Sequence, residues 1–163
     1  MTPLAFHNAI IVPAARLLPD HDSPEARCLL LAIAGQESGW QFRVQLPEGW
    51  ARSFWQCEKN GAVVAVLTSE PTRDKIVQIC TALCIPPGLD TVFEAIAWND
   101  ALAYCLARLN LLLDPAPLPA IGERDAAWET YRRVWRPGKP APDRWEAAYE
   151  TAVQVDASTR GPP

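Results

Sequence analysis

Leu30, Ile33, Ala34 and Glu37 recur at i, i+3, i+4, i+7, a spacing that aligns them as one stripe of a helix. Three apolar members turn the stripe toward a core, so Glu37 sits at the C-terminal end of a buried face. Gly39 follows and stops the helix. A carboxyl placed there is partly desolvated and meets the negative end of the helix dipole. Both effects disfavour the anion and raise the pKa. A carboxylic acid kept protonated near neutral pH is the proton donor that glycosidic bond cleavage needs. An arbitrary glutamate at a helix end more often just reaches water, so the neighbourhood of Glu37 decides between the two readings.

That neighbourhood reads Ala32-Ile33-Ala34-Gly35-Gln36-Glu37-Ser38-Gly39-Trp40, and nineteen residues after Glu37 comes Gln56, within Ala51-Arg52-Ser53-Phe54-Trp55-Gln56. Here the chain resembles the lysozyme superfamily, in particular lytic transglycosylases and phage lysozyme-like proteins. Glu37-Ser38 matches the Glu-Ser pair that the family carries at a helix end. Ser53-Phe54-Trp55-Gln56 matches the family's Gly-Leu-Met-Gln segment in its glutamine and its apolar middle. Ser53 stands where the family has glycine, which leaves the backbone conformation there open. A third family motif, Ala-Tyr-Asn, sets a tyrosine near the catalytic acid. Its counterpart is Tyr131 in Trp128-Glu129-Thr130-Tyr131, without the flanking residues. Trp135-Arg136-Pro137-Gly138-Lys139-Pro140 also looks like the end of phage lysozyme-like domains. The resemblance covers about residues 24–135 in order of elements. It implies Glu37 as the catalytic acid and Ser38, Trp55, Gln56 and Tyr131 as substrate-binding residues.

Hydrolysis would need a second carboxylate, and Glu58 and Glu48 are the nearby candidates. Glu48 lies between Pro47 and Gly49, on an expected turn. Glu58 points the same way as Gln56 if that segment is extended. Without a second carboxylate, the resemblance implies a transglycosylase that leaves 1,6-anhydro ends, and this outcome is slightly favoured. Of seven tryptophans, Trp40, Trp50 and Trp55 flank the expected cleft, where indole faces can stack on pyranose rings. Trp98, Trp128 and Trp145 have helical spacing and are expected in the core. Arg52 is a further candidate for binding a substrate carboxylate.

Other chemistries lack their parts. The two histidines, His7 and His21, lie by no G-x-S-x-G elbow. No glycine-rich phosphate loop is present. The five cysteines, Cys28, Cys57, Cys80, Cys84 and Cys105, match no disulfide framework or zinc spacing, so reduced thiols are expected and no metal or cofactor. A formal net charge of −4 disfavours nucleic acid as a partner.

The elements that must position these residues are mostly helical. Thr2-Pro3, Ser23-Pro24-Glu25 and Ser69-Glu70-Pro71 mark helix starts. Helices are expected at about 3–18, 24–38, 58–67, 71–84, 89–113, 123–135 and 141–154. Residues 39–57 read as a loop or short β-hairpin after the catalytic helix, and Pro115–Gly122 as a stiff connector. At 163 residues, 49% hydrophobic and 21% charged, the chain is expected to fold as one lysozyme-like domain, residues 1–155, with a disordered tail at 156–163. Neither a signal peptide nor a membrane span is expected. The reading is therefore a muramidase or lytic transglycosylase, made in the cytoplasm and acting on the cell wall. Its expected partner is the peptidoglycan glycan strand, and virion proteins are candidate partners if it travels in a phage particle. The alternative is a catalytically inactive lysozyme-like structural or binding module; chitinase activity is a third and weaker possibility.

Overall fold

Ser23, Pro24 and Gly39 bound the helix around which the rest of the chain assembles. Ser23 Oγ accepts from the Ala26 amide at 3.2 Å, Pro24 takes the first turn, and Gly39 closes the C-terminus in the left-handed region at φ 57°. The computed structural model describes residues 1–45 and 49–160. Besides a 3-10 turn at Pro19–His21, its helices are α1 (three continuous segments, Pro3–Phe6, His7–Ile11 and Val12–Ala15), α2 (Pro24–Ser38) and α3 (a π-turn Lys59–Val63 running into Val64–Thr68). Then come α4 (Glu70–Ala82), α5 (Leu89–Ala95), α6 (Asp100–Leu112), α7 (Arg124–Trp135) and α8 (Pro142–Thr159). The strands described are β1 (Ala51–Arg52) and β2 (Cys57–Glu58), an antiparallel pair with Ala51 opposite Glu58 and Arg52 opposite Cys57. Helix makes up 66% of the described residues, so the fold is mostly α, with one short hairpin after α2 among the described residues. Among the described residues no helix is long and apolar enough to cross a membrane.

The stripe on α2 understates its burial. Leu29, Leu30, Leu31, Ala32, Ile33 and Ala34 are all buried, so this helix is covered on every side. Its most extensive partner is α8. Gly35 permits the approach, since a Cβ there would lie 2.9 Å from Ala148 Cβ and 2.4 Å from the Trp40 ring. The second central helix, α6, is buried from Leu102 to Leu111. In α1, Pro13 follows the π-turn over His7–Ile11, which absorbs the hydrogen bond that proline cannot make.

Two expectations about elements change. The single helix expected over 89–113 is two, because Asn99 takes an extended conformation and its side chain caps α6 by accepting from the Leu102 amide at 2.9 Å. Trp98, expected in the core, falls in that break and is 79% exposed. The last helix runs on through residues 156–159, where a disordered tail was expected. Val155 is buried, and Asp156 pairs with Arg160 one turn later.

Candidate active site

The C-terminal turn of α2, the hairpin, and the α7–α8 region enclose a cavity of about 1160 Å³. Glu37 lines it from the last turn of α2, with its neighbour Gln36. Gln56, Cys57 and Glu58 line the hairpin side, and Tyr131 and Trp135 line the α7 side. Arg136, Lys139 and Arg144 come from the α7–α8 connector and the first turn of α8.

Glu37 is half-buried, and its Oε1 accepts a hydrogen bond from the Tyr131 hydroxyl at 2.6 Å. Burial is the main cause that holds the Glu37 carboxyl above its ordinary pKa, and the negative charge of Glu58 adds to it. The Tyr131 hydroxyl and the Arg144 guanidinium pull the other way without cancelling the rise. Arg144 reaches the site by donating from Nη1 to the Gln36 carbonyl at 3.2 Å, a cation at the C-terminal end of α2 where the dipole favours it. Tyr131 itself titrates higher than usual, through burial and the charge of Glu37. Its ring is fixed by stacking on Trp145, at 5.1 Å and 15°. The Cys57 thiol is pushed up to about 12 by burial, which leaves it a poor nucleophile.

The structure brings Glu37, Gln56, Glu58 and Tyr131 to one cavity, from three separate stretches of chain. Ser38 and Trp55 are elsewhere, which corrects their expected substrate-binding roles. Ser38 is buried and its hydroxyl donates back to the Ala34 carbonyl at 3.0 Å. Trp55 is wholly buried, with its indole donating to the Leu30 carbonyl at 2.8 Å and its ring edge-on to Phe6 and Tyr104. It supports the hairpin from beneath and does not line the cavity. Gln56, next in sequence, turns outward to the cavity at φ 48°. Its Nε2 donates to the Ser53 and Phe42 carbonyls at 2.8 and 3.4 Å, so the glutamine also braces its own loop. Ser53 has φ 70°, the left-handed conformation that glycine takes most easily. Glu48 lies outside the described residues. Glu58 is exposed, in the extended strand β2, with its side chain on the cavity.

Other expected contributors are spent differently. Trp40 folds over Gly35 and donates to the Leu31 carbonyl at 3.0 Å, and Trp50 is 85% exposed. Arg52 turns to α5, stacking over Phe93 at 4.9 Å with Glu94 3.9 Å away. Among the described residues, the tryptophan lining the cavity is Trp135, whose indole donates to the Trp55 carbonyl at 2.8 Å. Arg144 was not singled out from the sequence. Nothing local marks it, because its place depends on how α8 packs against α2.

No family model matches this chain, and neither the curated proteins nor the solved structures compared with it contain a match.

Proposed function

We propose that the protein cleaves the glycan strands of peptidoglycan, with Glu37 as the proton donor. The observation that carries this reading is the Glu37–Tyr131 pair: a carboxyl held above its ordinary pKa, bonded at 2.6 Å, and open to a cavity with room for sugar rings. The resemblance of Glu37-Ser38 and Gln56 to the lysozyme superfamily adds to it. Because the Tyr131 hydroxyl occupies Oε1, the proton for the substrate sits on Oε2. It passes to the oxygen bridging N-acetylmuramic acid and N-acetylglucosamine as that bond breaks. In the transglycosylase form of the reaction, the muramic acid 6-hydroxyl attacks C1 and returns its proton to Glu37. The products are a 1,6-anhydro end and a free 4-hydroxyl.

A specific observation favours a second form. Glu58 lines the same cavity, and its charge acts on Glu37. A second carboxylate there can direct water to C1, giving an ordinary reducing end. Mass spectrometry of products from purified peptidoglycan separates the two, with Glu37→Gln as the control. Absence of product with the folded wild-type protein would turn the reading to a non-catalytic lysozyme-like module.

A further inference from the structure

The chain is acidic overall, yet four cations line the cavity, Arg133, Arg136, Lys139 and Arg144, against three carboxylates, Glu37, Glu58 and Asp114. Their distribution is uneven. Arg133 is committed to Asp114, with bonds of 2.9 and 2.6 Å. Arg136, Lys139 and Arg144 pair with no carboxylate among the described residues. All three belong to residues 136–144, whereas Glu58 stands on the hairpin. The connector is tied to the end of the acid helix, since Gln36 Nε2 donates to the Ala141 carbonyl at 3.4 Å and Arg144 to the Gln36 carbonyl. Pro137 and Pro140 restrict its backbone, and Arg136 ends α7 in the left-handed region at φ 49°. Arg136 and Lys139, with no carboxylate paired to them among the described residues, and Arg144, whose charge Glu37 feels only at a distance, face one cavity and are placed to receive an anion from whatever fills it.

We propose that Arg136, Lys139 and Arg144 form a carboxylate-reading wall that selects glycans bearing acidic substituents, such as the lactyl carboxylate of muramic acid, over neutral amino-sugar chains. The identity of the sugar rests on the function proposed above; the anion preference rests on the wall. The Glu58 carboxylate on the hairpin side repels the same group, so an acidic substituent is directed toward the connector. Arg52, the arginine that the sequence suggested for this role, is turned away to α5.

The test uses the full chain carrying Glu37→Gln, which removes turnover, and three probes. They are a tetrasaccharide of alternating N-acetylglucosamine and N-acetylmuramic acid, the same sugar with its lactyl carboxyls reduced to alcohols, and the neutral N-acetylglucosamine tetramer. Binding is measured by calorimetry, with and without Arg136→Gln/Lys139→Gln. Arg144 is left intact because it also bonds α2. Exposed charge pairs of this kind give a preference of roughly three- to tenfold for the acidic sugar. The double substitution removes that preference, and so does ionic strength of about 1 M, where the Debye length is about 3 Å. Lys139→Glu alone, at a position without backbone strain, reverses it. Equal affinity for native and reduced sugars, or a preference that survives in a folded double variant, overturns the proposal. The two ideas fail separately. Wild-type protein that cleaves reduced strands with unchanged KM refutes the wall and leaves the cleavage reading standing. Carboxylate-dependent binding without cleavage of peptidoglycan by the wild type refutes the cleavage and leaves the wall. No binding of any probe refutes both.

Discussion

Replacing Tyr131 by phenylalanine removes one hydroxyl from beside Glu37 and leaves the ring that fills the space. That ring is 1% exposed and stacked on Trp145, with Trp128 at 5.4 Å, so the variant should fold with the same core. The lost bond is a donor to a carboxylate at 2.6 Å. Hydrogen bonds to charged groups contribute about 1.5–3 kcal/mol. Glu37 still touches the cavity, so the lower end applies, and about 1.4 kcal/mol is tenfold in an equilibrium. Ionisation of Glu37 should therefore become about tenfold less favourable, leaving burial and Glu58 opposed by Arg144 alone. NMR titration of ¹³C-labelled glutamate carboxyls, assigned with Glu37→Gln, reads this directly. If the protein cleaves glycan, the alkaline limb of its pH profile moves upward with it. Stability carries the same sign. A carboxyl whose folded pKa lies above its unfolded value costs nothing below the ordinary carboxylate range, and its penalty appears as pH rises through the folded pKa. Tyr131→Phe should thus melt below wild type near pH 7, with the gap shrinking as pH falls. A Glu37 titration that stays in place, or moves to lower pH, would refute the reasoning.

Glu37→Gln should lower glycan cleavage on the order of 10²–10⁴-fold while the protein melts above wild type at neutral pH; by the linkage just given, that advantage fades in acid, and thermal melts across pH check it. Glu58→Gln should leave 1,6-anhydro products intact if Glu37 works alone and abolish ordinary reducing ends if water is activated, as product mass spectrometry will report. It should also lower the pKa of Glu37, because it removes a negative neighbour. Ser53→Ala keeps the strained φ of 70° and loses the bond from the Trp55 amide to Ser53 Oγ at 3.3 Å, costing about 1 kcal/mol. Ser53→Gly loses the same bond but relieves a left-handed penalty of about 1–2 kcal/mol, so it should melt above Ser53→Ala. The reverse order in paired melts would show that the backbone at Ser53 is not strained.

The acid helix was legible because its signals are local. Ser23-Pro24-Glu25 starts it, Gly39 stops it, and the intervening residues are apolar enough to be buried whatever surrounds them. Glu37 and Glu58 were legible as carboxylates close in sequence to one loop. Tyr131 lies 94 residues from Glu37 and came only through the resemblance, since no spacing rule links such distant residues. Trp55, beside Gln56, shows where reading by residue type fails. Both were assigned to the cleft, but two left-handed residues, Ser53 and Gln56, turn the segment between the strands so that the indole goes inward and the amide outward. Composition carries no information about that turn. Trp98 failed for a similar reason: its helical spacing was real, but Asn99 as a cap outweighed it.

The parts that escaped the sequence share a cause. Arg144 acts on Glu37 because α8 lies against α2, and α8 lies there because Gly35 and Ala148 are both small. No property of Arg144 itself predicts that contact. The same packing carries the connector, and with it Arg136 and Lys139, to the cavity. The acid is therefore set locally, by where a helix ends, while its tuning and its charge environment are set at long range, by which helices can approach closely. Enlarging Gly35 would be expected to disturb Arg144 and the connector before it disturbed the helical run that ends at Glu37. On this view, the placement of Glu37 and the charges that face it are fixed by different layers of the fold.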